Sequence, residues 1–296
     1  MTTDSLRTTA VVQPRDRKGV RRAPKAPWGS PGLYLIAIVL VTICITPVLY
    51  IIIGGFRTNS QITADPSGFP DPWRFTNYSD VLAGSEFWTA LLNSTIVAVG
   101  TTAGAVLLGV MAAYVLARYE FTGKPVMYAL FAAGLMFPVT VAITPLYLLI
   151  RNLGLVNSLA GIIVPQIAFA LPGTIVILVP FLKAIPKELE EAASIDGASR
   201  LGFFWRMVIP LSLPGVITVG ILAFVGSWNG YMLPLFILND PGLFTLPLGV
   251  QNFSSQYSVD TARVLAYTSL SMLPALIFFS LFERRIVGGL TGAVKG

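Results

Sequence analysis

Histidine is absent from this chain of 296 residues, cysteine occurs once, and charged residues make up only 11%. Without histidine there is no imidazole to move a proton near neutral pH or to ligate a metal. The lone Cys44 rules out an intrachain disulfide and leaves no thiol cluster for a metal. The nearest approach to a phosphate-cradling G-x-x-x-x-G-K-[ST] loop is Gly123-Lys124, which lacks the upstream glycine and runs into Pro125. The chain therefore has no such route to ATP. Apolar runs such as Leu33–Phe56 and Leu213–Phe236 contain no acid or base. A carrier coupled to protons or sodium usually needs one at membrane depth. These absences predict a non-catalytic chain without cofactor or metal, whose work is driven from outside itself.

What is present is grease: 54% hydrophobic residues and a mean hydropathy of +0.74. That composition predicts an all-α polytopic membrane protein. Six apolar stretches are long enough to cross a bilayer, at 33–56, 88–117, 126–150, 158–182, 213–236 and 262–282. Residues 1–31 are basic and proline-rich, and read as a disordered tail rather than a signal peptide, since the apolar run that follows is too long. Residues 32–283 form the permeating body and 284–296 a second tail. Of twenty basic residues, four (Arg57, Arg74, Arg151 and Arg263) fall in the loops assigned outside. This bias places both termini in the cytoplasm. It also explains the net charge of +6 without invoking nucleic acid. Gly100 and Gly104 form a GxxxG pair, continued by Gly109, which is either a close helix contact or chance.

One polar interruption stands out, Lys183 to Pro214. Pro186 suits the first turn of a helix, and Glu188, Glu190 and Glu191 follow where the helix dipole favours acids. Gly197 marks a bend or stop. A second amphipathic run then carries Leu201, Phe203, Phe204, Trp205 and Met207 to Pro210. Glu191-Ala192-Ala193, three residues, Gly197, nine residues, then Met207-Val208-Ile209-Pro210 resembles the EAA signature of ABC importer permeases, with Met207 and Ile209 in place of the usual Ile and Leu. Asp196 fits the carbohydrate-importer version. The competing reading is an interfacial helix without a dedicated partner.

The resemblance extends from about Leu33 to the C-terminus, toward the MalG-type subunit of maltose-like systems. It rests on Asn152-Leu153-Gly154-Leu155 with Asn157, on Trp228-Asn229 before Pro234-Leu235, and on Gly289-Leu290-Thr291 through Gly292 and Lys295 to Gly296. It implies a type I importer fold with six spans in a bacterial cytoplasmic membrane. It also implies a second homologous permease, two copies of an ABC ATPase, and an extracytoplasmic sugar-binding protein. Glu191, Ala192, Ala193, Asp196 and Gly197 would belong to a coupling helix seated on the ATPase, with Phe203, Phe204 and Trp205 as apolar contact. Gly197 would be required because a side chain would clash at the hinge or the docking surface. Thr291, Gly292 and Lys295 would reach the ATPase interface, and the loop 239–260 would probe the binding protein. Gln166, Asn229 and Tyr231 are polar groups at membrane depth, read either as solute contacts or as interhelical hydrogen bonds. In Trp228-Asn229-Gly230, glycine stands where the family often has an acid or a larger residue. The cargo implied is a di- or oligosaccharide. Glycerol phosphate esters, amino acids and a stand-alone secondary carrier are the alternatives.

Overall fold

The computed structural model describes residues 31–254 and 259–294, with side chains through residue 282. Residues 1–30 and Lys295, about which the sequence raised expectations, lie outside that range. The chain divides into two units at Pro47. In the first, the described residues are helical backbone, the start of α1 (Pro31–Gly54). The second runs from Val48 and holds everything that follows.

Helices account for all regular structure among the described residues. Two short ones, α2 (Asn59–Ala64) and α3 (Thr76–Ala83), fill the loop after α1. Thr58 and Gln61 close α2 with reciprocal side-chain bonds. The buried Arg57 guanidinium gathers the carbonyls of Gln61, Asp65 and Pro66, so the loop is built around one cation. The long α4 (Ser85–Arg118) packs along α7 (Ala160–Lys183). Three glycines make this approach possible. An added Cβ would stand 3.1 Å from Ile163 Cδ1 at Gly100, 2.3 Å from Ile167 Cδ1 at Gly104 and 2.3 Å from Thr174 Cγ2 at Gly109. The glycine series is therefore a helix contact and not chance.

Among the described residues, four helices are long and apolar enough to cross a membrane. The count reaches the expected six when each of two bent pairs is taken as one span. In the first pair α5 (Lys124–Gly134) meets α6 (Val139–Asn152) at 102°, where Pro138 stands at the break. In the second, the residues Arg200–Leu211 meet α11 (Leu213–Trp228) at 77°. The fifth span is not the continuous 213–236 helix expected. α11 stops at Trp228, Asn229 and Gly230 are non-helical, and a separate short α12 (Met232–Ile237) follows. At about 1.5 Å per residue, sixteen residues span about 24 Å, less than the ~30 Å hydrocarbon core.

The loop after α12 folds back instead of standing free. Asn93 Nδ2 donates to the carbonyls of Gly242 (3.0 Å) and Phe244 (3.1 Å), and the Ser94 hydroxyl accepts from Leu246 N at 2.7 Å. From the turn after α6, Asn157 adopts φ +55° and its Oδ1 accepts from the backbone N–H of both Asn239 and Asp240. α13 (Leu246–Gly249) buries Leu246 and Leu248 completely. The last helix, α14, runs from Thr261 to Val294. The C-terminal segment from 284 is thus helical backbone continuous with the last span, and Thr291 and Gly292 lie on it.

Candidate functional site

The Lys183–Pro214 stretch begins with α8 (Lys187–Ile195), whose first turn carries Glu188 and Glu190 as expected from the dipole. The helix ends in a Schellman turn: Ala198 N donates to Ala193 O (2.9 Å), and Gly197 N to Ser194 O (3.1 Å). Gly197 sits at φ +78°, in the left-handed region. A Cβ there would meet nothing within 4 Å. Within this chain the glycine is demanded by backbone conformation, and a side chain would meet no clash at the hinge. Ser199 then caps α9 (Arg200–Phe203), its hydroxyl accepting from Gly202 N at 3.1 Å.

A widened turn follows at Phe204–Val208, before the brief α10 (Ile209–Leu211). Such a turn inserts a residue and rotates the faces that follow. Phe203, Phe204 and Val208 are nearly or fully buried, against Tyr114, Leu178 and Leu182. Phe203 and Phe204 therefore belong to the chain's own core, contrary to the expectation that they form apolar surface. Trp205 is half exposed. The strongly exposed apolar groups here are Ile195 (86%) and Leu201 (67%), one on each side of the Gly197 turn. The hydropathy of the run hides them, although their place beside Gly197 was the available signal.

Glu191, Ala192 and Asp196 are exposed, while Ala193 packs against the core. Glu191 makes no ion pair with any described residue. Its neighbour Glu190 does, with Arg118 Nε at 3.7 Å. Arg118 is the last residue of α4, and its side chain is only 3% exposed. Nη1 donates to the Ile185 carbonyl at 2.8 Å. One guanidinium thus ties the end of α4 to the start of α8, a residue that no motif announced. Nearby, Lys124 lies 2.7 Å from Glu120 and holds its carboxyl below the usual range.

The membrane-depth candidates converge. Gln166, Asn229 and Tyr231 line one cavity of about 600 Å³ between α4, α7, α11 and α12. Its remaining wall is largely apolar, with Leu135, Val139, Phe169 and Leu222. Gln166 Oε1 accepts hydrogen bonds from Ser227 Oγ (2.6 Å) and Thr101 Oγ1 (3.0 Å), two residues sequence reasoning missed. Asn229 Nδ2 donates back to Val225 O in the last turn of α11, at 3.0 Å. The break after α11 is what turns Asn229 and Tyr231 toward this space: a continuous helix would have left no gap there. No group of histidine, cysteine or acidic residues able to hold a metal occurs among the described residues.

A family model for the binding-protein-dependent transport system inner membrane component matches residues 105–286. The chain is 37% identical over 251 residues to the diacetylchitobiose uptake system permease protein NgcG of Streptomyces coelicolor, covering 84% of this chain and 83% of that one. It is 38% identical over 260 residues to the trehalose transport system permease protein SugB of Mycobacterium tuberculosis, covering 87% and 94%. A solved structure of a bacterial ABC transporter for alginate import contains a chain of the same fold, with TM-score 0.72, 23% identity, and coverage of 88% and 99%. Members are transport components without catalysis of their own, which agrees with the want of any catalytic cluster in the sequence. The chain belongs to the binding-protein-dependent transport system inner membrane component family, as an ABC transporter permease.

Proposed function

We propose that this chain is the membrane-spanning permease subunit of an importer that brings a di- or oligosaccharide into the cytoplasm, powered by a separate ATPase seated on Lys183–Pro214. The observation that carries the reading is the exposed pair Ile195 and Leu201 around the Gly197 turn. Apolar side chains held out among polar neighbours mark a surface made for a partner. The free carboxylate of Glu191 beside them offers a charge for a basic residue of that partner. The chain carries no nucleotide-binding loop, so the driving motion must arrive through such a contact. Closure of the ATPase dimer would move α8, and Arg118 would hand that motion to α4.

A sugar is the cargo because the relatives above are named for the uptake of diacetylchitobiose and trehalose. The assembly is completed by a second homologous permease, two ATPase copies and an extracytoplasmic binding protein. The Lys183–Pro214 stretch and both termini face the cytoplasm, and Thr291, Gly292 and Lys295 approach the ATPase interface.

The test is uptake in proteoliposomes holding the whole assembly. Gly197→Asp should abolish both sugar uptake and the ATPase activity stimulated by the loaded binding protein. Uptake sustained by this chain without any ATPase would overturn the reading. A Cys44→Ser, Ile195→Cys chain should react with an impermeant maleimide only from the cytoplasmic side.

A further inference from the structure

We propose that the side-chain amide of Gln166 is a hydrogen-bond donor to the hydroxyls of a neutral, polyhydroxylated solute in this cavity, and that Gly230 keeps that donor uncovered. The inference rests on the sugar reading above and assigns the contact within it.

An amide oxygen has two lone pairs, and on Gln166 both are taken, by the hydroxyls of Thr101 and Ser227. These come from α4 and α11, so the amide is held from two sides and its NH2 group is turned away from both. Nε2 finds no acceptor among the described residues, while Gln166 lines the cavity. Half-buried Gln166 opens onto the cavity, so this donor is free to bond water there, and a solute hydroxyl can take that water's place.

Gly230 is the second observation. An added Cβ would stand 2.9 Å from Gln166 Nε2 and 3.0 Å from Ser227 O. Gly230 is not among the glycines with positive φ, which are Gly123, Gly154 and Gly197. Its backbone does not require glycine; the space beside the amide does. Any larger residue would cover or displace the donor.

The chemistry of the occupant follows from the rest of the wall. None of the described lining residues is charged, so nothing there would neutralise a phosphate or carboxylate. A fixed amide donor among Leu135, Phe169 and Leu222 suits a ring with hydroxyl edges and C–H faces.

The experiment uses the complete assembly in proteoliposomes, with radiolabelled trehalose and diacetylchitobiose, and monodeoxy analogues of whichever is carried. Wild type should discriminate against at least one analogue lacking a single hydroxyl. Gln166→Met should raise the uptake KM about three- to tenfold and erase that discrimination. Gly230→Ala should weaken the same discrimination, although the two hydroxyl bonds to Oε1 remain possible. If both variants keep the wild-type KM and discrimination, the amide only ties three helices together and the proposal falls, with the sugar reading intact. Should Gln166→Met fail to assemble, unaltered discrimination in Gly230→Ala alone overturns it. If wild type carries neither these two nor any other of a panel of di- and oligosaccharides, the functional reading fails and takes this inference with it.

Discussion

The loops on either side of the fifth span treat their apolar side chains in opposite ways. Between α12 and α14, Leu246 and Leu248 are buried and the backbone is pinned by Asn93, Ser94 and Asn157. Between α7 and α11, Ile195 and Leu201 are turned outward beside a left-handed glycine. The first loop is finished by its own chain. The second is built but left unfinished, as the proposed seat for an ATPase requires.

Perturbing a buried anchor should separate the two most sharply. Leu248→Ala should cost about 2–5 kcal/mol, read as lost thermal stability of the detergent-purified assembly. If its melting point barely moves, the finished loop is not holding the fold. Gly197→Ala should cost about 1–2 kcal/mol, because a side chain is forced into the left-handed region. Hydrogen exchange at Gly197 and Ala198 should speed up first. Removing the Arg118 pin with Arg118→Met leaves the Ile185 carbonyl without its donor, a loss of about 1–3 kcal/mol. The more telling readout is coupling: ATP hydrolysis should continue while uptake per ATP falls. Ile195→Ser combined with Leu201→Ser should change thermal stability by no more than about 0.5 kcal/mol, yet release the ATPase on gel filtration. A large stability loss instead would mean that these side chains are covered within the chain.

The smallest effect belongs to the Glu120–Lys124 pair. Its carboxyl titrates below the ordinary value, so its contribution is present above that ordinary value and fades as the pH falls through the lowered one. The pair is on the surface, so raised salt should remove most of the difference between Glu120→Gln and wild type.

Six apolar stretches, the stop at Gly197 and the acidic start of α8 were all legible in the residues, because each is a local property. Other features were not. No charge interrupts Leu213 to Phe236, so the stretch reads as one span, and the turn signal of Asn229-Gly230 is outweighed by the apolar residues around it. The inward turn of Phe203 and Phe204 depends on packing against Tyr114, Leu178 and Leu182 from distant helices, which no local pattern announces. Arg118 looked like a topology-setting charge at a span end, and only the fold brings it to Ile185 and Glu190. For Gln166 the sequence left two readings open. The hydrogen bonds with Thr101 and Ser227 support the interhelical one for its oxygen, and leave its nitrogen for the other.

α4 touches both loops. Ser94 holds the folded-back one and Arg118 the outward-facing one, about 36 Å apart along an unbroken helix without proline. A rod of that kind has little slack. A tilt imposed where Arg118 sits must appear as a shift where Ser94 sits, with no need for a relay of side chains through the bilayer. Under the proposed coupling, the far end of the helix would then be worked by leverage alone.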